Sequence, residues 1–444
     1  MQPFDSASLD ERLSRLERAL AASPADATEI AWLEIQRGQD SNSRRRRDTD
    51  EHRDHTLLIR VRESGRTGFH RTGASELADL ENAVRHALAQ ARLAPPSPAP
   101  FIPEPGPPVE LAGLFDPEIA RLNPGRAREL LQRPLERGEQ ARLGWAVGRL
   151  AVVNSRGLRR SVEVTGASFE IQSSRSPGGG RAAVAARSLD GLAAPRVAER
   201  ARQRQAPQSA GVEGPPEAAV PLVLAPEAAV RLVDLLNRFA LGSNVFLDGG
   251  SPLSAGLGQT VFHSSVGLRD DGLDPRGLPF PFDLLGNPKG PVDLIAGGVF
   301  LTPAVDPRLA AATGLLETPH QLGPDEAQAT NLFLMPGELP EPELIRAAEG
   351  GIWVAALEPL ECFDPRGLRF RAVARGARRI RGGQLDRALP DLIWEDSLID
   401  ALRRVLGVGT EPLPVATGGD LVFGATAAPA LAIGGVGGLR PLFE

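Results

Sequence analysis

From Asn244 to its C-terminus the chain is cut into short apolar runs by glycine and proline, which together supply 48 and 40 of its 444 residues. Proline removes a backbone donor, and glycine carries the largest entropic cost of ordering, so neither sustains a long helix. In this half only Glu341–Glu349 and Ser397–Leu406 keep helical spacing. Short runs bounded by turn residues read instead as strands, and the spacing predicts a β-rich C-terminal domain, barrel-like or sandwich-like.

The N-terminal half reads differently. Ser8 and Glu11 have the spacing of a capping box, followed by Leu9, Leu13, Leu16 and Leu20 on one helical face. Strands are expected at Thr28–Gln36, Leu57–Arg62 and Thr67–Arg71, the last two joined by a turn at Gly65. An amphipathic helix with Leu80, Val84, Leu88 and Ala91 inward should cover them. A proline-dense linker runs from Ala94 to Pro108. Next come a helix at Pro124–Gly138, a hairpin about Asn154-Ser155-Arg156-Gly157 with arginines on its wet face, and a helix at Leu192–Gln205. Val220–Leu224 should be a buried strand feeding a helix from Pro226. The expected fold class is thus α+β, an N-terminal α+β domain at 1–215 followed by a β-rich C-terminal domain at 216–444.

Composition excludes more than it assigns. A formal charge of −6 gives no global attraction to nucleic acid or an anionic membrane. Cys362 is the sole cysteine, so an internal disulfide and a thiolate-rich metal site are both excluded. Tyrosine is absent and Lys289 is the one lysine. The polar start from Met1 to Asp10 lacks the basic and apolar regions of a signal peptide, and no apolar run is long enough to span a bilayer. A cytoplasmic protein is expected.

Several short elements fall in the order found in the TldD/PmbA family of peptidase subunits, which the chain resembles over most of its length. Phe282, Asp283, Gly286 and Pro288 match a Phe-Asp-x-x-Gly-x-Pro element, and Leu294–Val299 matches a hairpin about a glycine pair. Leu315–His320 stands at the glycine-rich stretch, and Asn331, Leu332, Leu334, Pro336 and Gly337 match an Asn-Leu-x-Leu-x-Pro-Gly strand. Gly367, Phe370 and Gly382-Gly383-Gln384 follow in register. The chain departs from the family at Leu284 and Leu285, where further acidic residues are usual, and at Arg366, where a threonine is usual.

The resemblance implies a test, because catalytic members carry His-Glu-x-x-x-His on a helix early in the C-terminal domain, two histidines holding zinc while the glutamate activates water. Here that helix falls near Pro226–Ala240 and offers Glu227, Arg231, Asp234 and Asn237. Glu227 and Arg231 have the spacing of an ion pair on a wet face. Of the six histidines, His52, His55, His70, His86, His263 and His320, only His52 and His55 share helical spacing, and they sit in a solvated charged segment. Cys362 alone makes no site. The chain therefore resembles the PmbA/TldE branch: no catalytic residue, no metal ligand and no cofactor are expected, with zinc held by a partner. That branch implies a dimer with a TldD-like metallopeptidase subunit, or with itself, enclosing an extended peptide. His320, Thr330 and Asn331 are the residues expected near the substrate.

Other patterns carry less chemistry. Arg44–Arg47 could contact phosphates, but Asp48, Asp50, Glu51 and Asp54 cancel the field, so nucleic acid is not an expected partner. Gly178–Gly180 and Gly434–Gly438 lack the Gly-Lys-Ser/Thr of a P-loop. His263-Ser264-Ser265, on an expected strand, lacks the setting of a serine nucleophile. The family's name as a modulator of DNA gyrase leaves one alternative, a metal-independent homodimeric binding protein with a nucleic-acid or toxin–antitoxin partner.

Overall fold

The computed structural model describes residues 8–42, 50–73, 77–96, 102–107, 109–174, 177–207, 211–323, 326–416 and 421–442. Ser8 caps helix α1 (Leu9–Ala21) as its spacing predicts: the Glu11 N–H donates to Ser8 Oγ (3.2 Å) and the Ser8 N–H to Glu11 Oε2 (2.9 Å). One antiparallel sheet follows, built from β1 (Ala27–Ser41), β2 (Asp50–Glu63), β3 (Arg66–Thr72), β4 (Gln140–Asn154), β5 (Arg159–Gln172) and β6 (Arg181–Ala186), in the order β3-β2-β1-β4-β5-β6. β1 and β2 run well beyond the strands expected at Thr28–Gln36 and Leu57–Arg62. Their ends are polar, and cross-strand pairing carries them on.

Helices cover one face. The apolar stripes of α1 and α2 (Leu77–Leu93) pack Leu13, Leu16, Leu80, Val84 and Leu88 against Ile30, Trp32, Leu57 and Ile59. The other end of that face lies under α3 (Pro117–Ala120), α4 (Pro124–Gln132), α5 (Leu189–Leu192) and α6 (Ala194–Gln203), which meet Trp145, Phe169 and Ile171. The helix expected at Leu192–Gln205 is α6, and Ala193, whose φ of 44° is left-handed, separates it from the short α5. Arg160, expected on a wet face, is instead buried and donates to the carbonyls of Gly106 (3.3 Å) and Pro107 (3.1 Å), tying part of the proline-dense stretch to the sheet.

The second half is rich in strands. β7 (Val220–Leu224) joins a six-stranded sheet whose neighbours are Ile352–Val354 and Leu431–Val436. A second sheet centres on Leu268–Asp271 and Leu332–Leu334, and a third on Ala356–Asp364, Arg369–Arg375 and Leu392–Ser397. Helix α7 (Pro226–Leu236) runs through the core between them, with Ala228, Ala229, Leu232, Val233, Leu235 and Leu236 buried against Leu268, Phe300, Leu332 and Trp394. The fold is the expected α+β domain followed by a β-rich domain. Two short helices, Ser243–Leu247 and Pro307–Thr313, add to the two expected in the C-terminal half. The second carried legible signals, since Asp306 caps it by accepting the Leu309 N–H (2.8 Å) and Gly314 ends it in a left-handed turn. His263-Ser264-Ser265 lies in a turn, not on a strand.

The uncovered face of the first sheet holds the two domains together. Ala31, Ile35, Ala146, Leu150 and Val164 pack on Leu278, Phe280, Phe282, Leu284, Leu421 and Val422. Arg187 is buried at this seam and donates to the carbonyls of Thr165, Leu278, Pro279, Leu421 and Val422 at 2.8–3.1 Å. A guanidinium spreads donors in one plane, which suits several carbonyls converging from different segments.

Candidate functional site

Strand alternation puts residues two apart on one face, so the face that packs on the second domain at Ala31, Ile35, Ala146 and Leu150 continues through Arg37, Gln39, Ser41, Arg142 and Gly144. Register adds Asp50 and His52 on β2, opposite Gln39 and Arg37, and Ser168 and Glu170 on β5, opposite Gly144 and Arg142. The apolar half of the face is thus consumed by the seam, and the polar half forms a wall. Facing it are Arg231 of α7 and Glu358 of the strand Ala356–Asp364. Between them lie two joined cavities of about 280 and about 540 Å³, both lined by Arg142, Glu170, Arg231 and Glu358.

Charge is concentrated here. Burial and the repulsion of Glu358 push the Glu170 carboxyl above its ordinary range, opposed by Arg142, Arg231 and Arg181. Arg181 donates to Gln172 Oε1 (2.8 Å) and lies 3.4 Å from Glu358 Oε2. Arg142 and Arg231 line the cleft without a hydrogen bond or ion pair from either guanidinium among the described residues.

Glu227, one turn before Arg231, borders the first cavity but is bonded to other residues. It is buried, and its Oε1 accepts from the Ala183 N–H of β6 (3.2 Å) and from Arg200 (3.1 Å), while Oε2 accepts from Arg204 (2.9 Å). Arg204 also lies 3.4 Å from Glu341 and stacks over Trp353, whose Nε1 donates to Glu341 (2.8 Å). Although burial favours the neutral acid, Arg204 and Arg200 hold the Glu227 carboxyl below its ordinary range. The expected wet-face pair with Arg231 is therefore replaced by a link between domains. Spacing along one helix could not reveal it, because the competing cations lie more than twenty residues upstream.

Residues 217–437 match the family model of the PmbA/TldA metallopeptidase C-terminal domain. The chain belongs to the TldD/PmbA family. Three solved structures share its fold across nearly the whole length. TldE from Thermococcus kodakarensis superposes with a TM-score of 0.78 at 19% identity, covering 97% of this chain and 99% of its own. Proteins named as modulators of DNA gyrase from Thermotoga maritima and Bacteroides thetaiotaomicron give TM-scores of 0.80 and 0.74 at 18% and 17% identity, covering 96% and 98% of this chain and 99% and 100% of theirs. No curated protein sequence matches the chain.

Metallopeptidase kinship calls for a zinc donor set, and α7, the helix at which the resemblance led one to be expected, has none. Arg231 is a permanent cation, both Glu227 oxygens are engaged by arginines, and the helix has no histidine. Among the described residues no group of three or more His, Cys, Asp or Glu is placed to hold a metal ion. His52 and His55 lie on β2, three apart on a strand and hence on opposite faces, and His52 pairs with Asp54 (2.8 Å). Arg44–Arg47 lie outside the described residues.

His320, Thr330 and Asn331 do converge, around Asp270 rather than in the cleft. Asp270 Oδ1 accepts the N–H groups of Thr330 and Asn331 (both 2.7 Å), and Oδ2 lies 3.0 Å from His320 Nε2. Despite the cost of burial, Lys289 and His320 hold the Asp270 carboxyl far below its ordinary range. Lys289, itself buried, donates to Thr330 Oγ1. The Asn331 side chain bridges Leu278 N–H (2.8 Å) with the carbonyls of Asp271 (2.7 Å) and Asp274 (3.1 Å). His320 and Asn331 have no exposed surface, and Thr330 is half-buried. Asp283 of the Phe-Asp element is likewise an interior acceptor, for the N–H groups of Leu285 (2.9 Å) and Asn287 (3.0 Å). His320, Asn331 and Asp283, from the motifs that carry the family resemblance, thus build the interior. The cleft residues Arg142, Glu170, Arg181 and Glu358 belong to none of those motifs, and their only sequence signal is a charge alternating toward the strand ends.

Proposed function

We propose that the chain is a zinc-free subunit of the TldE or PmbA kind, which dimerises with a TldD-like metallopeptidase and helps enclose and present extended peptides. The observation that carries this reading is that α7 lines the cleft between the two domains with Arg231 and with a Glu227 held by two arginines, and carries no histidine. Strand β6 borders that cleft through Arg181, Ala182 and Ala183, and because Glu227, Arg200 and Arg204 hold the outer backbone groups of Arg181 and Ala183, side chains of the wall rather than a free sheet edge would meet the peptide. In this reading the chain does not cleave peptides alone. His320, Thr330 and Asn331 serve the substrate indirectly, by fixing the segment 270–280 that packs on the first sheet.

We place the domain boundary at 215/216, between α6 and β7, and the protein in the cytoplasm. Among the described residues no helix is long and apolar enough to cross a membrane. The test is reconstitution with a zinc-bearing TldD-like homologue: peptide cleavage by the pair, abolished by chelator, and none by either chain alone. Full, chelator-insensitive cleavage by this chain alone would sink the proposal. A homodimer that binds a ligand and never supports proteolysis would favour the alternative, a metal-independent binding protein.

A further inference from the structure

We infer that the interdomain cleft recognises a carboxylate of its peptide, held between Arg142 of the sheet wall and Arg231 of α7; this rests on the proposal that the cleft holds peptide. Arginines elsewhere around the cleft are committed. Arg37 is paired with Asp54, Arg181 with Glu358, and Arg200 and Arg204 with Glu227. Arg142 and Arg231, which come from different domains, are left without a hydrogen bond or ion pair among the described residues, though a chain with 56 acidic residues could readily have supplied partners. Leaving two guanidiniums uncommitted in a concave site is what a carboxylate ligand requires, since each presents a planar fork of donors that matches two carboxylate oxygens.

The surrounding side chains fit the same ligand. Gln140, Ser41 and Ser168 offer neutral hydrogen bonds to an adjoining peptide backbone, and the joined cavities are in the range that accommodates small ligands or a few residues. Across the two cavities the guanidiniums of Arg37, Arg142, Arg181 and Arg231 face the carboxylates of Asp50, Glu170, Glu227 and Glu358, and Glu227 is held by Arg200 and Arg204. Glu170 stands directly across the strand pair from Arg142 yet does not bond it. It acts as an internal competitor that a bound carboxylate must overcome.

The carboxylate could be the peptide's C-terminus or an acidic side chain, and three N-acetylated hexapeptides of alanine, valine and serine separate these: one with a free C-terminus, one amidated, and one amidated with a central glutamate. Calorimetric titration of the full chain should give at least tenfold tighter binding for one or both carboxylate-bearing probes than for the neutral amide, and the tighter probe names the source. R142Q and R231Q should each cut that preference below threefold while leaving the neutral amide within twofold. E170Q should tighten the carboxylate probe several-fold, a gain that misfolding cannot produce. Equal binding of all three probes, unchanged in the variants, overturns the carboxylate inference and leaves the peptide-binding proposal standing. If none of the three binds, both fall.

Discussion

Replacing Glu227 with glutamine removes the one anion shared by Arg200 and Arg204 and should loosen the joint between α6 and α7. Breaking a buried pair by removing one partner costs about 3–5 kcal/mol, most of it the penalty of a stranded charge. Here the lower end applies. Arg200 is 33% exposed and can recover water, and Arg204, at 10%, keeps Glu341 at 3.4 Å. A loss of about 3 kcal/mol is expected, read as a fall in the urea midpoint of the full chain by tryptophan fluorescence, for which Trp353 beneath Arg204 is a local reporter. The pH dependence has a definite sign. The folded-state carboxyl is held below its unfolded value, so its contribution is complete above about pH 4.5 and disappears as the pH falls through the folded value; the variant should lack this acid-side loss. R231Q, by contrast, should cost clearly less than E227Q, because its guanidinium makes no hydrogen bond or ion pair among the described residues and acts on Glu170 only through space. A Glu227 effect below about 1 kcal/mol, or a double-mutant coupling of Glu227 to Arg231 rather than to Arg204, would refute the interdomain link and restore the wet-face pair.

Glu29 should act with the opposite sign. Burial pushes its carboxyl up to about 7, against the pull of Arg60 and with added repulsion from Asp283, so the fold favours the protonated form; stability should fall as pH rises from 4.5 through about 7, and E29Q should flatten that slope in a series of melting temperatures. R187M strands carbonyls of both domains, with an expected cost of about 3 kcal/mol or more and faster hydrogen exchange at 278–284 and 421–425; unchanged exchange there would show that the apolar seam suffices. At Gly68 an added Cβ would lie 2.1 Å from the Ala87 carbonyl oxygen and 2.4 Å from the Ala91 nitrogen of α2. G68A should therefore cost about 2 kcal/mol or more in thermal melts, and a neutral result would mean that α2 can shift away from β3.

The elements were legible where local physics decides them. The Ser8–Glu11 cap, the Gly65 and Asn154–Gly157 turns and the leucine stripes of α1 and α2 need only neighbours within a few residues. The left-handed Ala193 between α5 and α6 is not legible in the sequence, because it runs against the residue's own backbone preference. The far ends of β1 and β2 are not legible in the sequence, because hydrogen-bonded partners extend residues whose own composition looks like loop.

By itself the sequence determined the α+β order, the β-rich second half and the family kinship, because capping, turn chemistry and apolar periodicity act over short distances and motifs in order are read directly. It also determined that α7 carries no zinc donor set. Only the tertiary structure decided what the remaining charges do. It turned Glu227 away from Arg231 toward arginines of the other domain, buried His320 and Asn331 around Asp270, and left Arg142 and Arg231 facing each other's side of a cleft. Those outcomes depend on which segments a folded chain brings within a few ångströms, and electrostatic partners are chosen by that distance and by the loss of water, neither of which is written along the chain.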